Sequence, residues 1–281
     1  MNNFNICIFR PKGYIRSSAF VELAELIKFS LMDNNRQAAI NENFIDEMAF
    51  NIIIGGHLMD RSMIKDLPKR TIIFNTEQFG QGPEGWKEVI FELMQKFVAW
   101  DYSATNVDLF KSAGVKSIKH FEIGYHEKLK RIPGDLKKKI DVFFYGVLTK
   151  NRLAILDELE KRGLRVEKIE GIYGRERDYL ISRSSIILNL HAHPTKIFEI
   201  IRVHYLMNNA KAVVCQVDND TKIDPRYLEG ISFSGYENLV EKCIELIDNK
   251  NLIRELEIKS IEAIRKINSK QAMAKMIENL H

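Results

Sequence analysis

The chain has 281 residues, enough for two domains at ~150 residues each. Its 42 Lys and Arg against 38 Asp and Glu leave a net charge of +4, and 45% of residues are hydrophobic. That mix excludes a disordered chain and argues against one that grips nucleic acid through a broad basic field.

The first half alternates strand and helix signals. An apolar strand is expected over 5–9, followed by a loop at Pro11 and Gly13. Phe20, Leu23, Ala24, Ile27 and Leu31 then fall on one helical face. Buried strands are expected over 51–54, 71–74, 97–100 and 117–123, with helices over 86–95 and 103–113. Strands separated by helix-length segments imply crossovers and a mostly parallel sheet.

Residues 128–139 carry six Lys and Arg around Pro133-Gly134. Low apolar content and a turn signal make this stretch the expected linker between domains at 1–127 and 140–281. Its cations would be solvated, with peripheral contact to an acidic membrane as the alternative. No aromatics interleave them, so a base-stacking platform is not expected.

The alternation restarts after the linker. Strands are expected over 141–145, 165–169, 186–190, 212–216 and 231–234. Helices are expected over 152–162, 175–184 and 195–208, and from 251 to near the end. Ser234 and Glu237 have the spacing of a capping box before the helix holding Leu239, Cys243 and Leu246. Cys7, Cys215 and Cys243 are too few and too scattered for a disulfide framework or a cysteine metal cage, and fit a reducing compartment. No apolar run approaches the ~20 residues of a membrane span. The chain begins on a strand-like segment with no signal-peptide core, so the expected address is the cytoplasm.

In parallel α/β sheets ligands bind beyond the carboxyl ends of strands, so polar residues just after strands rank first. The strongest stretch runs from Asn189 through His191, His193, Lys196 and Glu199 to Arg202. A helix N-terminus with Lys196 beside it suits a diphosphate, and Glu199 suits ribose hydroxyls. Glu199 and Arg202 are also spaced for an ordinary helix ion pair. His191 and His193 lack a third ligand, so no metal is expected there. Gly146 lets a ligand approach the backbone, and Lys150 or Arg152 would hold phosphate oxygens. Tyr173, next to Gly174, would stack on a base, or fill a turn. Asp218-Asn-Asp220 reads as a turn rather than a metal site.

In the first half, Gly13, Tyr14 and His57 also follow strands. Glu77, Asp101 and His57 are the groups able to act as a general base, although Asp101 also stands where a helix cap belongs.

Several of these stretches together resemble GT-B-type glycosyltransferases of the bacterial "family 1" group. In the second half they are DVFFYG at 141–146, GIYGRERD at 171–178, LNLH at 188–191 and IFEIIRVHYL at 197–206. In the first half they are Gly13-Tyr14, NTEQ at 75–78, WDYS at 100–103 and Gly124-Tyr125. The resemblance implies an α/β fold of two Rossmann-like domains facing each other across a cleft, with the terminal helix returning to the first domain. It implies sugar transfer from a nucleoside-diphosphate sugar to a hydroxyl of a glycan, a lipid-linked or a protein acceptor. It puts Glu199 on the ribose and the start of its helix near the diphosphate, with no metal and no other cofactor required. Met207 stands where many retaining members carry a second glutamate, so the stereochemistry is left open. The rival expectation is a non-catalytic nucleotide-binding or partner module of the same shape. DNA as the acceptor is disfavoured by the modest charge.

Overall fold

The computed structural model describes residues 3–78, 85–134, 136–191, 197–278 and 280. The chain divides into two compact units. Unit 1 combines residues 1–126 with 268–281, and unit 2 is 127–267.

Unit 1 is a six-stranded parallel sheet with strand order β2-β1-β3-β4-β5-β6. Its strands are β1 (Asn3–Ile8), β2 (Gln37–Glu42), β3 (Phe50–Ile54), β4 (Thr71–Asn75), β5 (Val98–Asp101) and β6 (Ile118–His120). β3 and β4 are isoleucine-rich and buried at every position, as central parallel strands covered on both faces must be. The unexpected strand is β2. It is an edge strand of sequence QAAINE, largely open to solvent, and it gives no apolar run to read.

The crossovers are helices α1 (Val21–Asp33), α2 (Trp86–Lys96) and α3 (Ala104–Ser112). Trp100, Phe74 and Phe121 fill the core, with the Trp100 and Phe121 rings parallel at 6.2 Å. An asparagine ladder crosses the sheet. Asn41 donates to Asn5 at 2.8 Å, and Asn5 donates to buried Asn51 at 2.8 Å. The terminal helix α9 (Ser269–Ile277) packs on α1, and Asn34 donates to the Lys270 carbonyl at 2.9 Å.

Unit 2 is a five-stranded parallel sheet with order β11-β10-β9-β7-β8. The strands are β7 (Ile140–Tyr145), β8 (Val166–Ile169), β9 (Ser184–Asn189), β10 (Val213–Gln216) and β11 (Ser232–Ser234). The helices are α4 (Lys150–Lys161), α5 (Gly174–Ser182), α6 (Ile200–Asn208), α7 (Leu239–Asp248) and α8 (Lys250–Arg265). Phe144, Leu156, Leu188, Val214, Leu239 and Leu256 share one core between sheet and helices. No helix among the described residues is long and apolar enough to cross a membrane.

Four local expectations are corrected. Helix α6 starts at Ile200, not 195; Ile200 N–H bonds the Phe198 carbonyl, and Glu199 holds the N-cap position. The capping box does not form: the Ser234 hydroxyl donates to the Gly235 carbonyl, and a short 3-10 turn, Tyr236–Asn238, leads into α7. The last helical stretch is two helices, because Asn268 caps α9 anew by accepting from Gln271 N–H at 3.1 Å. The expected linker is fastened to unit 2. Asn209 accepts from the N–H groups of Arg131 and Ile132 and donates to the Leu129 carbonyl, while Lys211 donates to the Pro133 carbonyl. Leu129 and Ile132 are buried.

Each sheet reverses its strand order once. In unit 1 the reversal lies between β1 and β3, and in unit 2 between β7 and β9. At such a point neighbouring crossovers diverge and leave the carboxyl ends of the two strands open to a ligand.

Candidate functional site

At the reversal in unit 2, β7 ends in Tyr145-Gly146 and β9 runs out into Leu190-His191. Arg152 rises from the first turn of α4 and is 3% exposed. Its Nε and Nη2 donate to the Leu190 carbonyl and its Nη1 to the Val147 carbonyl. Burial, then repulsion from Arg202, pulls its pKa down to about 10, so it stays charged at neutral pH.

Arg202, from α6, donates through Nη1 to the Tyr145 carbonyl at 2.6 Å and lies over the Tyr145 ring. Gly146 has φ +146°, and a Cβ there would stand 2.7 Å from Arg202 Nη1. The bare Cα of Gly146 thus admits the arginine. Three of the five Arg152 N–H groups are held by backbone carbonyls, which fixes its buried positive charge in place.

Glu199 is half-buried at the head of α6. Among the described residues no ion pair joins it to Arg202, whose guanidinium turns to Tyr145 instead. Its carboxylate acts electrostatically on Arg152, His191 and the thiol of Cys215. His191 has a side chain 2% exposed, with Nδ1 3.7 Å from Asp218 Oδ2. Its backbone N–H is held by Gln216 Oε1 at 3.1 Å. Burial lowers its pKa below the ordinary histidine value, with Glu199 and Asp218 opposing and Arg152 assisting. Lys196, Thr195 and His193 lie outside the described residues.

Asp218 closes the turn with Thr221 that the sequence suggests, and its side chain also faces His191. Among the described residues no three His, Cys, Asp or Glu groups converge as metal ligands. Tyr173 and Gly174 stand one strand away, at the head of α5. Their segment runs beside the β7 loop, where Gly146 N–H bonds the Ile169 carbonyl and Leu148 N–H bonds Glu170.

One supporting group has a role the sequence does not assign. Arg177 lies over both the Tyr145 and Tyr205 rings and pairs with Asp178 at 2.8 Å. The Tyr205 hydroxyl donates to Asp178 at 2.6 Å and accepts from Arg131 Nε at 2.9 Å. This cluster buttresses the ring that Arg202 lies against. Tyr145, Arg177, Asp178 and Tyr205 fall in three of the quoted motifs, but their spread along the chain hides that they form one cluster.

In unit 1 the reversal brings the Gly13-Tyr14 loop after β1 and His57 after β3 to the same end of the sheet. His57 is buried between Phe20 and Trp86, with the Trp86 ring centroid 4.3 Å away. Burial drives its pKa down to about 4, so it is neutral at pH 7. Glu77 follows β4, has a side chain 24% exposed, and stands 3.4 Å from His57 Nε2. It also acts on Tyr14, whose hydroxyl pKa is raised chiefly by burial. Gly13, at φ +78°, has open space around it.

Asp101 requires correction as a catalytic group. It is fully buried, and both carboxylate oxygens are engaged. Asn75 and Asn106 donate to Oδ2 at 2.7 and 2.6 Å, and Ser103 N–H donates to Oδ1 at 2.8 Å. The same two asparagine amides donate to the Glu77 carbonyl. Asp101 therefore fixes the loop that carries Glu77 and has no surface to offer a substrate.

No family model matches the chain. Two curated mimivirus proteins, both uncharacterized, are similar to it. L140 is 26% identical over 254 residues, covering 88% of this chain and 80% of L140. L137 is 26% identical over 248 residues, but the chain spans only 32% of its length. Solved structures match end to end at low identity. Anabaena HepE in complex with UDP and glucose gives a TM-score of 0.67 at 9% identity, over 100% of this chain and 99% of that one. WaaG, a glycosyltransferase involved in lipopolysaccharide biosynthesis, gives 0.60 at 8% identity over 99% of both chains. At such identity the likeness speaks for architecture. Two parallel Rossmann-like units in one chain, matched throughout by these structures, give this protein the GT-B glycosyltransferase-like fold.

Proposed function

We propose that the chain is a glycosyltransferase that moves a sugar from a nucleoside-diphosphate donor to an acceptor hydroxyl without a metal. One observation carries the reading. At the strand reversal of unit 2 a half-buried carboxylate, Glu199, stands at a helix head beside two fixed arginines, with no ion pair among the described residues. A carboxylate so placed accepts from ribose hydroxyls. Fixed cations meet the charge that develops on the diphosphate as it leaves, and such preorganised groups usually give the largest electrostatic contribution to catalysis. The structures of HepE in complex with UDP and with UDP-glucose support a donor of this class.

Transfer with inversion also needs a base for the acceptor proton. Glu77 is the group proposed in unit 1, being partly exposed and anchored through its backbone. The acceptor is a glycan, a lipid-linked or a protein hydroxyl.

Calorimetry with UDP and GDP tests the donor site. Glu199→Gln should weaken binding of the preferred nucleotide about tenfold, the loss of one charge-assisted hydrogen bond, with an unchanged melting temperature. Equal affinity in the variant removes Glu199 from the site. UDP or GDP release from donor sugars should persist in EDTA, and a strict Mn²⁺ requirement would overturn the metal-free mechanism. Nucleotide binding without any turnover identifies a binding module instead.

A further inference from the structure

His191 is an anomaly within the unit 2 site. It stands where β9 runs out, its side chain 2% exposed, and neither ring nitrogen has a hydrogen-bond partner among the described residues. A buried polar group without a partner is costly, and imidazole nitrogens are usually satisfied. Its backbone, by contrast, is pinned by Gln216. The ring is therefore buried with Nδ1 beside one carboxylate and Nε2 without a hydrogen bond among the described residues.

The charged groups around it come from three elements. Asp218, after β10, has Oδ2 3.7 Å from Nδ1. Glu199, at the head of α6, and Arg152, on α4, act on it through space. Without ligand the ring is neutral, because burial outweighs the two carboxylates and Arg152 opposes a second cation.

We propose that a nucleoside diphosphate binding at the β7 and β9 strand ends draws a proton onto His191, which becomes a third cation of the donor site. The inference rests on the donor-site reading above. The diphosphate brings two or more negative charges to a buried region, where charges interact strongly. A protonated ring carries two N–H donors. Nδ1–H is a small side-chain adjustment away from Asp218, and Nε2–H is left for a phosphate oxygen. Asp218 is then a positioning residue: it orients the ring and stabilises its charge. Neutral His191 spares the empty site a second buried cation next to Arg152.

The sign of the coupling is fixed. Binding takes up a proton, so affinity falls as pH rises through the ring's pKa in the complex, by up to ~tenfold per pH unit. The terminal phosphate of the free nucleotide titrates near pH ~6 and acts in the opposite direction, since its deprotonation adds negative charge. The two sources therefore separate by sign.

The experiment is calorimetry of UDP and GDP binding between pH 6 and 8, with wild type, His191→Gln and Asp218→Asn. Long-range ¹H–¹⁵N NMR of the histidine rings, with and without nucleotide, accompanies it. Wild type should lose affinity toward pH 8, His191→Gln should show no such loss, and Asp218→Asn should lose it at lower pH. The His191 ring should pass from a neutral to a doubly protonated nitrogen pattern at pH 7 when nucleotide saturates the site. Nucleotide binding with the ring neutral throughout overturns this inference and leaves the donor site standing. Absence of binding by either nucleotide at every pH defeats the donor site itself, and this inference with it.

Discussion

Replacing Asp101 with asparagine isolates a buried carboxyl whose pKa burial pushes up from 3.8 to about 7 against three hydrogen-bond donors. The native state holds this proton more tightly than the unfolded chain does. Its contribution to stability is complete below pH 3.8 and declines as pH rises toward about 7. At ~1.36 kcal/mol per unit of pKa difference, wild type should lose about 2.5 kcal/mol from this group between pH ~5 and ~8. The Asp101→Asn variant has no such proton. Its new amide nitrogen would face Ser103 N–H, a donor against a donor, which costs about 2 kcal/mol at any pH. The substitution should therefore destabilise in acid and approach neutrality, or reverse, at pH ~8. His57 has its pKa pushed down to about 4, so its own contribution is lost as pH falls from 6.5 toward that value. It is present in both proteins and cancels in the difference. The assay is urea denaturation followed by tryptophan fluorescence. Both tryptophans, Trp86 and Trp100, lie in unit 1, so the signal reports the unit that holds Asp101. A wild-type-to-variant difference that stays constant from acid to neutral pH refutes the reasoning.

Gly146→Ala places a methyl 2.7 Å from Arg202 Nη1 at φ +146°. It should cost about 1–3 kcal/mol of stability and weaken UDP or GDP binding at least about tenfold by displacing Arg202, as read by melting and calorimetry. Tyr205→Phe removes the hydroxyl shared by Arg131 and Asp178. It should destabilise unit 2 by about 1–3 kcal/mol in chemical denaturation. Gly230→Ala brings its Cβ to 2.6 Å from Ala263 Cβ and 2.9 Å from the Lys259 carbonyl. It should force α8 outward at a cost of about 1–3 kcal/mol, seen as a lower melting temperature.

The repeated strand–helix alternation was legible because its strongest signals are local. The isoleucine runs of β3 and β4 and the aromatic run of β7 announce buried parallel strands by composition alone. β2 was not legible, because an edge strand open to water carries no apolar run. The start of α6 was misplaced because Ile197 and Phe198 are buried beside the strands without being helical, so apolar content ran ahead of the helix. The fastening of the basic stretch at 128–139 is not legible because its anchor, Asn209, lies far along the chain, whereas its cations are mostly exposed as expected. At the candidate site, residue types after strands pointed to Glu199, Arg202, Arg152 and His191. What each side chain does there depended on partners from other strands. Tyr145 takes up Arg202, Leu190 takes up Arg152, and Asn75 and Asn106 surround Asp101.

Unit 1 is assembled from two separate stretches, with α9 against α1, whereas unit 2 is one uninterrupted stretch. On a ribosome this sets an order of events. Residues 127–267 can close their own core as soon as they emerge, while α1, made earlier, waits for α9, which follows unit 2. Until then α1 keeps one apolar side uncovered, and Met273 and Met276, both buried in the finished protein, have not been synthesised. A chain stopped after residue 267 would therefore hold unit 2 whole and unit 1 without the helix that packs on α1.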